Sequence, residues 1–391
     1  MDDGKHRVLF YVKGVPHSFY REQFLVCPEN TEYIPSTPLL EQGERTAVEF
    51  AKGNPIKEAA KNFGRAGMKL IGIPSVGTVS TDCELVHSAE TLLSSNKPWV
   101  VDFEDASSLC WFDPGMLKGH SRWMIEKLIK DRKCMKMLPW TDAARRNIES
   151  HLNLSDYEDR IEVVYPAVRP KALPVRKKKE TVDFLFVGKY FYSKGGMETV
   201  AAFDRLSKTH DVRLHMVTRV PPDVKKRFEG NKNMIFYNRI SEAELNSLYA
   251  TADVFMLPYH LDSLGYVIME AMAQGLPCII SDNYAGKELV EDGVSGLLVK
   301  DRIENYRFDD NFRTVVPPIS RDEDTLFFNQ LQAPSEAYLS QVHAAMLRFA
   351  EDGSFRNQAA RNSYALTTSG KFSPGAKKAA LKRIYEECLK K

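Results

Sequence analysis

The sequence predicts an α/β protein with two domains, the second of which is a doubly wound parallel sheet. Two observations predict this fold. The 391 residues are enough for two domains of ordinary size. The second half of the chain alternates short apolar segments with helical patterns, and about five such strand–helix units are enough for one doubly wound domain.

The strands of the second half are short apolar segments bounded by glycine, proline or polar residues. We predict them at Asp183–Gly188, Arg213–Thr218, Met234–Tyr237, Asp253–Pro258, Pro277–Ser281 and Gly293–Val299, the last as a strand or hairpin. The predicted helices are Met197–Ser207, one that begins after Ser241, one that ends at Gln274, and Pro374–Lys390. Ser241 with Glu244 three residues later has the spacing of a capping box.

The first half of the chain is less regular. Its predicted strands are His6–Val12, Lys69–Ile73, Cys83–His87 and Trp99–Phe103, and its predicted helix is Gly115–Lys136. Residues 166–181 contain three prolines and a basic run, which is the composition of a linker. Residues 301–334 are charged and lack periodicity, which indicates an insertion or a long loop.

Composition and targeting patterns exclude several classes of protein. The six cysteines are scattered without a C-x-x-C pair, which argues against a zinc site or a disulfide framework and favours a reducing compartment. No signal-peptide pattern precedes the first predicted strand, and no apolar run is long enough to span a bilayer. The net charge of +2 is too small to indicate nucleic-acid binding. We therefore expect a cytoplasmic protein.

A candidate phosphate-binding turn follows the strand Asp183–Gly188. Gly188 and Lys189 are followed by Lys194, Gly195 and Gly196 at the start of a predicted helix. Glycine lets the backbone approach a ligand, and helix N-terminal N–H groups with two lysines suit a diphosphate. The spacing matches neither the dinucleotide fingerprint nor the P-loop. A tight turn with two solvated lysines remains the alternative.

A single carboxylate stands in the apolar helix that follows Pro258. Asp262 and Ser263 occupy the expected N-cap, and Gly265 permits a phosphate to approach the N–H groups of residues 265–267. Glu270 is the one charge among apolar residues, so we expect it to be buried and to need hydrogen-bond donors. The two hydroxyls of a ribose would supply them. A simple helix cap and an internal salt bridge are the alternatives.

This region resembles the retaining glycosyltransferases of family GT4, which have the GT-B fold. The order and spacing of the matching residues are typical of that family, and the match covers about 120 contiguous residues from Asp183. The matching residues are Gly188, Lys189, Lys194, Gly195, Pro258, Asp262, Gly265, Glu270–Ala273, Gly275, Pro277, Ser281, Asp282, Gly286, Glu288 and Gly296–Val299. The resemblance implies two Rossmann-like domains facing across a cleft. Their expected bounds are 1–165, joined by the C-terminal helix 374–391, and 182–373.

The resemblance also implies roles for individual residues. Lys189 and Lys194 would hold the diphosphate, Glu270 the ribose, and Asp262 the donor sugar. Further donor-binding positions would be Gly188, Arg239, Ile240, Ser263, Leu264, Gly265, Tyr266 and Val267, with the base near Arg239 and Ile240. Asp262 stands where the family has a glutamate, which shortens the side chain. Lys189 stands where the family has an arginine, so the two-pronged hydrogen bonding of a guanidinium is lost.

The N-terminal half departs further from the family. Glu104 falls at the position of a histidine that usually contacts the donor sugar. Other expected sugar or acceptor contacts are Gly14, His87, Asp102 and Asp105. Carboxylates accept hydrogen bonds from sugar hydroxyls, so such a site can bind a sugar. An N-cap with solvated loop charges is the alternative for the three acidic residues.

The expected function is transfer of a sugar from a UDP- or GDP-sugar to a glycan, lipid-linked or small-molecule acceptor, with retention of anomeric configuration. The expected catalytic residues are Lys189, Lys194, Asp262 and Glu104, and no metal or other cofactor is expected because lysines can stabilise the leaving diphosphate. One alternative is an inactive nucleotide-sugar-binding homologue that regulates a partner. The other is a nucleotide-sugar epimerase of the same fold.

Residues 115–137 combine basic and aromatic side chains, and the linker adds the basic run 176–179. A basic helix face with apolar neighbours can bind anionic lipid. We therefore expect a peripheral contact with the inner face of the membrane. The alternative is a solvated helix face over an ordinary core.

Overall fold

The structure is a computed structural model that describes residues 4–14, 18–41, 48–49, 67–68, 71–173, 180–300 and 331–390. These residues form two α/β domains, each built on a parallel sheet, as the sequence predicts. Residues 301–330 of the predicted insertion at 301–334 lie outside the described residues. Residues 174–179 of the predicted linker also lie outside them.

The N-terminal domain has a five-stranded parallel sheet in the order β2-β1-β5-β7-β8. The strands of this half are β1 His6–Val12, β2 Thr31–Pro35, β3 Val48–Glu49, β4 Val76–Val79, β5 Leu85–Ala89, β6 Leu92–Ser95, β7 Trp99–Phe103 and β8 Cys134–Pro139. Its helices are α1 Ser18–Leu25, α2 Gly119–Lys130 and α3 Asp142–His151. Strands β5 and β7 are buried at every position, as expected for a sheet covered on both faces.

The C-terminal domain has a six-stranded parallel sheet in the order β11-β10-β9-β13-β14-β15. Its strands are β9 Val182–Val187, β10 Val212–Val217, β11 Met234–Tyr237, β12 Arg239–Ile240, β13 Val254–Leu257, β14 Cys278–Ser281 and β15 Gly296–Val299. The helices are α4 Gly196–Leu206, α5 Pro222–Arg227, α6 Glu242–Thr251, α7 Tyr266–Met272, α8 Gly286–Leu289, α9 Glu336–Glu351, α10 Gly353–Thr368 and α11 Pro374–Lys390.

Most elements of the second half are confirmed to within two residues, including the capping box of Ser241 and Glu244 on α6. The helix predicted at Gly115–Lys136 is wrong at both ends. It begins at Gly119, after a separate 3₁₀ turn at Pro114–Met116, and it ends at Lys130, so that Cys134–Pro139 can pair with β7. Residues 71–73 of the predicted strand Lys69–Ile73 form no strand, and positions 69 and 70 lie outside the described residues.

Helix α11 returns from the second domain and packs on the first. The Tyr385 hydroxyl lies 2.5 Å from Nδ1 of His87 and 2.8 Å from the hydroxyl of Tyr33, all in the buried interior. Lys377 of the same helix donates to Oε1 of Gln23 at 2.5 Å, and burial lowers the pKa of this lysine to about 8. Hydrogen bonds between buried polar groups favour one arrangement of the elements that carry them.

A second connection between the domains is made by Glu288 of α8. Its carboxylate accepts hydrogen bonds at 2.8 Å from the backbone N–H groups of Asp142 and Ala143, the first residues of α3. The Tyr165 hydroxyl donates to the same carboxylate at 2.8 Å. A carboxylate at a helix N-terminus is favoured both by the unpaired N–H groups and by the helix dipole. Glu288 therefore ties the second domain to the first through the start of a helix.

We expect Tyr385→Phe to lower the free energy of unfolding by about 1–3 kcal/mol, because it leaves the buried His87 and Tyr33 without their shared partner. Chemical denaturation measures this change. Tyr364→Phe is the matched control, since the Tyr364 hydroxyl donates to a carbonyl at an exposed site. Equal stability of the two variants would show that the buried hydroxyl does not anchor α11.

Candidate functional site: two loops at the switch point of the C-terminal sheet

The two loops that carry most of the predicted donor-binding residues follow neighbouring strands. The chain runs from β9 outward through β10 and β11, then returns to place β13 on the other side of β9. Ligands of doubly wound sheets bind at such a switch point, outside the carboxyl ends of the strands. Loop 188–195 follows β9 and loop 258–265 follows β13. Their side chains therefore meet at the one edge where this fold binds ligands.

Gly195 is required where the two loops meet. Its backbone has φ of +78°, and a Cβ atom placed on it would lie 1.9 Å from the carbonyl oxygen of Pro258. Only glycine combines a left-handed conformation with such an approach. Gly196, the first residue of α4, has a similar constraint, since its Cβ would lie 2.4 Å from the ring of Phe191. The glycines that the sequence singles out thus bring the loops into direct contact.

Lys194 and Asp262 form an ion pair across the two loops. Lys194 Nζ lies 2.5 Å from Asp262 Oδ2 and donates to the carbonyl oxygen of Leu261 at 2.8 Å. The other oxygen of Asp262 accepts from the N–H of Gly265 at 3.0 Å. The predicted N-cap at Asp262 and Ser263 is wrong, because Gly265 with φ of +67° is the cap of α7. Asp262 instead closes the turn that leads into the helix.

A buried pair that the sequence analysis missed lies beneath these loops. His260 Nε2 lies 2.9 Å from Glu198 Oε1, and both side chains are almost fully buried. Glu198 belongs to the first turn of α4, and the backbone N–H of His260 donates to Ser193 in the other loop. This pair joins the two loops from below. A buried glutamate in a first helical turn leaves no signal in the sequence that distinguishes it from an exposed one.

Lys189 is the exposed lysine of the site. Its Nζ lies 5.2 Å from the centroid of the Tyr190 ring, at the mouth of the loop after β9. Gly188, just before it, is buried and donates its N–H to Val217 of the neighbouring strand. The two lysines therefore differ: Lys194 is held by Asp262, while Lys189 extends toward solvent.

Glu270 is half-buried, and the expectation of a fully buried carboxylate is wrong. The reason is that α7 buries one face only, formed by Ile268, Met269, Ala271 and Met272. Glu270 lies on the opposite stripe together with Tyr266 and Val267, both half-buried. Tyr266 packs edge-on against Phe19 of the N-terminal domain, with ring centroids 5.0 Å apart. The stripe that carries Glu270 thus faces the first domain, while Leu264 is buried in the turn before the helix.

Glu104 joins the two domains at the site. It follows β7 of the first domain, and its carboxylate accepts a short hydrogen bond from the hydroxyl of Ser263. The Tyr284 hydroxyl of the second domain donates to the backbone carbonyl of Glu104 at 3.3 Å. Tyr284 has φ of +46°, a strained conformation for a non-glycine residue. The structure thus places Glu104 against the loop 258–265.

The remaining predicted residues of the first domain are placed differently from one another. Asp105 is buried as the cap of a short 3₁₀ helix, where Oδ1 accepts from the N–H of Ser107 at 2.7 Å. His87 and Asp102 are buried side by side, with Nε2 3.4 Å from Oδ2. Gly14, after β1, has φ of +83° and open space around its Cβ position. Of this group, Gly14 alone is exposed.

The predicted base-binding segment pairs with the first domain. Arg239 and Ile240 form strand β12, which pairs antiparallel with Glu49 and Val48 of β3. The side chain of Ile240 is buried. Strands β12 and β3 thus form a short two-stranded ribbon between the two domains.

The part of the chain that the structure describes contains no group of three or more histidine, cysteine, aspartate or glutamate side chains arranged to hold a metal ion. It also contains no helix long and apolar enough to cross a bilayer.

A protein-family model matches the second domain. Residues 181–307 match the family described as Glycosyl transferases group 1, with 301–307 outside the described residues. An uncharacterized 41.2 kDa protein from the cps region of Klebsiella pneumoniae is 29% identical in an alignment of 157 positions, which covers 36% of this chain and 42% of that protein. An uncharacterized glycosyltransferase of Methanocaldococcus jannaschii is 25% identical in an alignment of 163 positions, which covers 36% of this chain and 41% of that protein. The match thus spans about two fifths of the length of these two relatives.

A longer match extends into both domains, since it is longer than either. Glycogen synthase of Mycobacterium tuberculosis is 24% identical in an alignment of 302 positions, which covers 69% of this chain and 72% of that enzyme.

Solved structures match nearly the whole chain at low sequence identity. A glycosyltransferase from Rickettsia africae superposes with a TM-score of 0.60 at 14% identity, covering 99% of both chains. Anabaena HepE, solved in complex with UDP and glucose, superposes with a TM-score of 0.58 at 14% identity, covering 98% of this chain and 100% of its own. These likenesses and the two parallel sheets confirm the predicted fold: the chain has the GT-B architecture.

We expect Gly195→Ala to destabilise the second domain strongly. A left-handed alanine costs about 1–2 kcal/mol, and the clash with Pro258 adds about 1–3 kcal/mol of overpacking. Gly293→Ala is the matched control, because Gly293 has φ of +72° but open space around its Cβ position. Thermal unfolding compares the two variants, and equal losses would contradict the tight contact between the loops.

Proposed function

We propose that this protein is a glycosyltransferase that moves a sugar from a nucleotide-diphosphate sugar to an acceptor. The observation that carries the proposal is the pairing of a lysine-bearing glycine turn with the Asp262–Glu270 segment at the switch point of a GT-B domain. The match of residues 181–307 to group 1 glycosyl transferases supports it. A simple phosphate site would not account for the Asp262–Glu270 segment, and a simple helix cap would not account for the two lysines and the glycine turn.

The phosphates of the donor would lie between the two loops. Lys189 extends from the loop after β9, and Lys194 has a further N–H to offer besides those directed at Asp262 and Leu261. Helix α4 begins after the loop that follows β9 and α7 after the loop that follows β13, so the N-termini of both helices lie at the same edge of the sheet. Positive charge fixed beside the departing diphosphate stabilises the negative charge that develops as the glycosidic bond breaks.

The nucleoside would lie along the stripe of α7 that faces the first domain. The half-buried carboxylate of Glu270 is suited to accept hydrogen bonds from both ribose hydroxyls. The base would lie near Arg239 and Ile240, where the ribbon between β12 and β3 closes the edge of the cleft. We propose a UDP- or GDP-sugar as the donor. HepE, solved with UDP and glucose, shares the fold, which is consistent with the first of these.

The sugar would lie between Asp262 and Glu104, where the two domains meet. Both carboxylates already belong to a hydrogen-bonded arrangement, Asp262 with Lys194 and Glu104 with Ser263. We propose retention of configuration by attack on the face from which the diphosphate departs, so that a phosphate oxygen accepts the proton of the acceptor hydroxyl. The residues then position the two reactants and neutralise charge without a covalent sugar–enzyme bond.

The acceptor is proposed to be a glycan or a lipid-linked glycan, with the protein bound peripherally to the cytoplasmic face of a membrane. Helix α2 supports this contact, because Trp123 is 55% exposed and is flanked by basic side chains. His120 stacks on its ring and Lys127 lies 5.1 Å from the ring centroid. A tryptophan with neighbouring lysines is the combination that binds at a lipid interface.

We expect Lys189→Gln and Lys194→Gln each to weaken UDP or GDP binding about tenfold, which is about 1.4 kcal/mol and typical of one hydrogen bond to a charged group. Glu270→Gln should weaken it similarly. Asp262→Asn should retain nucleotide binding, because it removes a negative charge beside the phosphates, but should lose sugar transfer. Isothermal titration calorimetry with both nucleotides measures the affinities.

The matched control for this series is Lys208→Gln, since Lys208 is exposed beyond the far end of α4. The proposed function would be contradicted if Lys189→Gln and Lys194→Gln bound the nucleotides as tightly as the wild type. It would also be contradicted if the wild type bound neither UDP nor GDP. Tight binding of a nucleotide sugar with neither hydrolysis nor transfer would instead support an inactive binding homologue.

For membrane contact, we expect the protein to float with anionic liposomes at low salt and Trp123→Ala to reduce the bound fraction. Neutral liposomes are the control, because the attraction of lysines to the surface requires anionic lipid. Equal binding by the wild type and the variant would show that α2 does not carry the contact.

A further inference from the structure

A cavity of about 450 Å³ lies at the amino edge of the N-terminal sheet. It is lined by residues that precede β7 and β8, among them Pro98, Arg132 and Lys133, and by Cys388 in the last turn of α11. Because β7 and β8 are parallel, both begin at this edge and both end at the opposite edge, where Glu104 meets the second domain. The cavity is therefore separate from the candidate donor site.

Three basic side chains line this cavity, those of Arg132, Lys133 and Arg160. Within the described ranges of the chain, none of them forms an ion pair with a carboxylate. The neighbouring Asp131 instead accepts a hydrogen bond from the backbone N–H of Lys133, with Oδ1 at 2.8 Å. Cations that share one cavity repel one another, and an anion bound among them would relieve this repulsion.

Two of the three cations are held in place by backbone carbonyl groups. Nη1 of Arg160 donates to the carbonyl oxygens of Asp131 at 3.1 Å and Cys134 at 3.0 Å. Nζ of Lys133 donates to the carbonyl oxygen of Ser95 at 2.8 Å. These bonds use one nitrogen of the guanidinium and one N–H of the ammonium, so both groups keep further donors for a ligand. The cations are thus fixed at the cavity before a ligand binds.

The number and kind of these cations favour a phosphate group over a carboxylate. A phosphomonoester carries nearly two negative charges at neutral pH and three oxygens that accept hydrogen bonds, whereas a carboxylate carries one charge. The guanidinium groups of Arg132 and Arg160 are suited to bind such oxygens in pairs. The other walls include the apolar side chains of Pro98, Met135 and Cys388, which suit the carbon skeleton of an ester. The volume falls within the range of small-molecule sites, about 300–1,000 Å³.

We propose that this cavity is a second ligand site, which binds the phosphate group of a phosphomonoester through Arg132, Lys133 and Arg160. The inference goes beyond the proposed sugar transfer and does not depend on it. A soluble phosphate ester and the headgroup of phosphatidic acid share this chemistry. The lipid source is consistent with the membrane contact proposed for α2, because that helix ends at Lys130, two positions before Arg132.

The experiment is isothermal titration calorimetry of the full chain with glycerol 3-phosphate as the probe and glycerol as the control ligand. We expect Arg132→Gln and Lys133→Gln each to weaken binding of the probe about tenfold. Arg132 is exposed, so its replacement leaves the fold intact. Lys118→Gln is the matched control, because it removes the same charge at the exposed, opposite end of α2. Unchanged affinity in Arg132→Gln would overturn the inference.

Hydrogen-exchange mass spectrometry on the same samples locates the bound ester. Protection of residues 131–135 and of the last turn of α11 supports the proposed site. Protection confined to loops 188–195 and 258–265 would show that the ester occupies the candidate donor site, and that result would overturn the inference.

Vesicles identify the source of the phosphate. A lipid source predicts stronger flotation with phosphatidic acid than with phosphatidylglycerol at equal surface charge, and loss of that preference in Arg132→Gln. Binding of glycerol 3-phosphate without this preference identifies a soluble ester as the ligand. If the wild type neither binds glycerol 3-phosphate nor prefers phosphatidic acid, the inference is overturned, whatever the result for UDP and GDP, because the two sites share no residue.

Discussion

The close approach of the loops after β9 and β13 is the constraint on which the site depends. With Gly195 against the carbonyl of Pro258, Lys194 reaches Asp262 and its turn, so the charges of both loops share one small volume. The buried pair of His260 and Glu198 holds the same loops from below. Because the loops carry no regular structure of their own, these contacts are what hold the two loops in one geometry.

The two domains are joined by polar contacts at the cleft and by apolar packing behind it. Glu104 reaches Ser263 beside the donor loops, and Glu288 binds the start of α3. Helix α11 is fixed to the first domain through the buried hydroxyl of Tyr385. Polar contacts between domains exchange readily with water, whereas the packed helix does not. The two domains are therefore joined both by polar contacts beside the loop 258–265 and by a packed helix.

The sequence predicts the second domain better than the first for a physical reason. Buried parallel strands are continuous apolar runs, and the capping box of Ser241 is a local signal, so both can be read directly. The end of α2 and the half-burial of Glu270 depend on which face meets another element, which local pattern does not encode. The pairing of His260 with Glu198 and the strain at Tyr284 arise from tertiary contacts, and no spacing in the chain announces them.

The measurement that tests the account most directly is a crystal structure of the protein with UDP or GDP bound. The account predicts the pyrophosphate between loops 188–195 and 258–265, with Lys189 and Lys194 Nζ within hydrogen-bond distance of its oxygens and the ribose hydroxyls on Glu270. A nucleotide bound elsewhere, or bound with Lys194 still held solely by Asp262 and Leu261 and Glu270 turned away from the ribose, would contradict it.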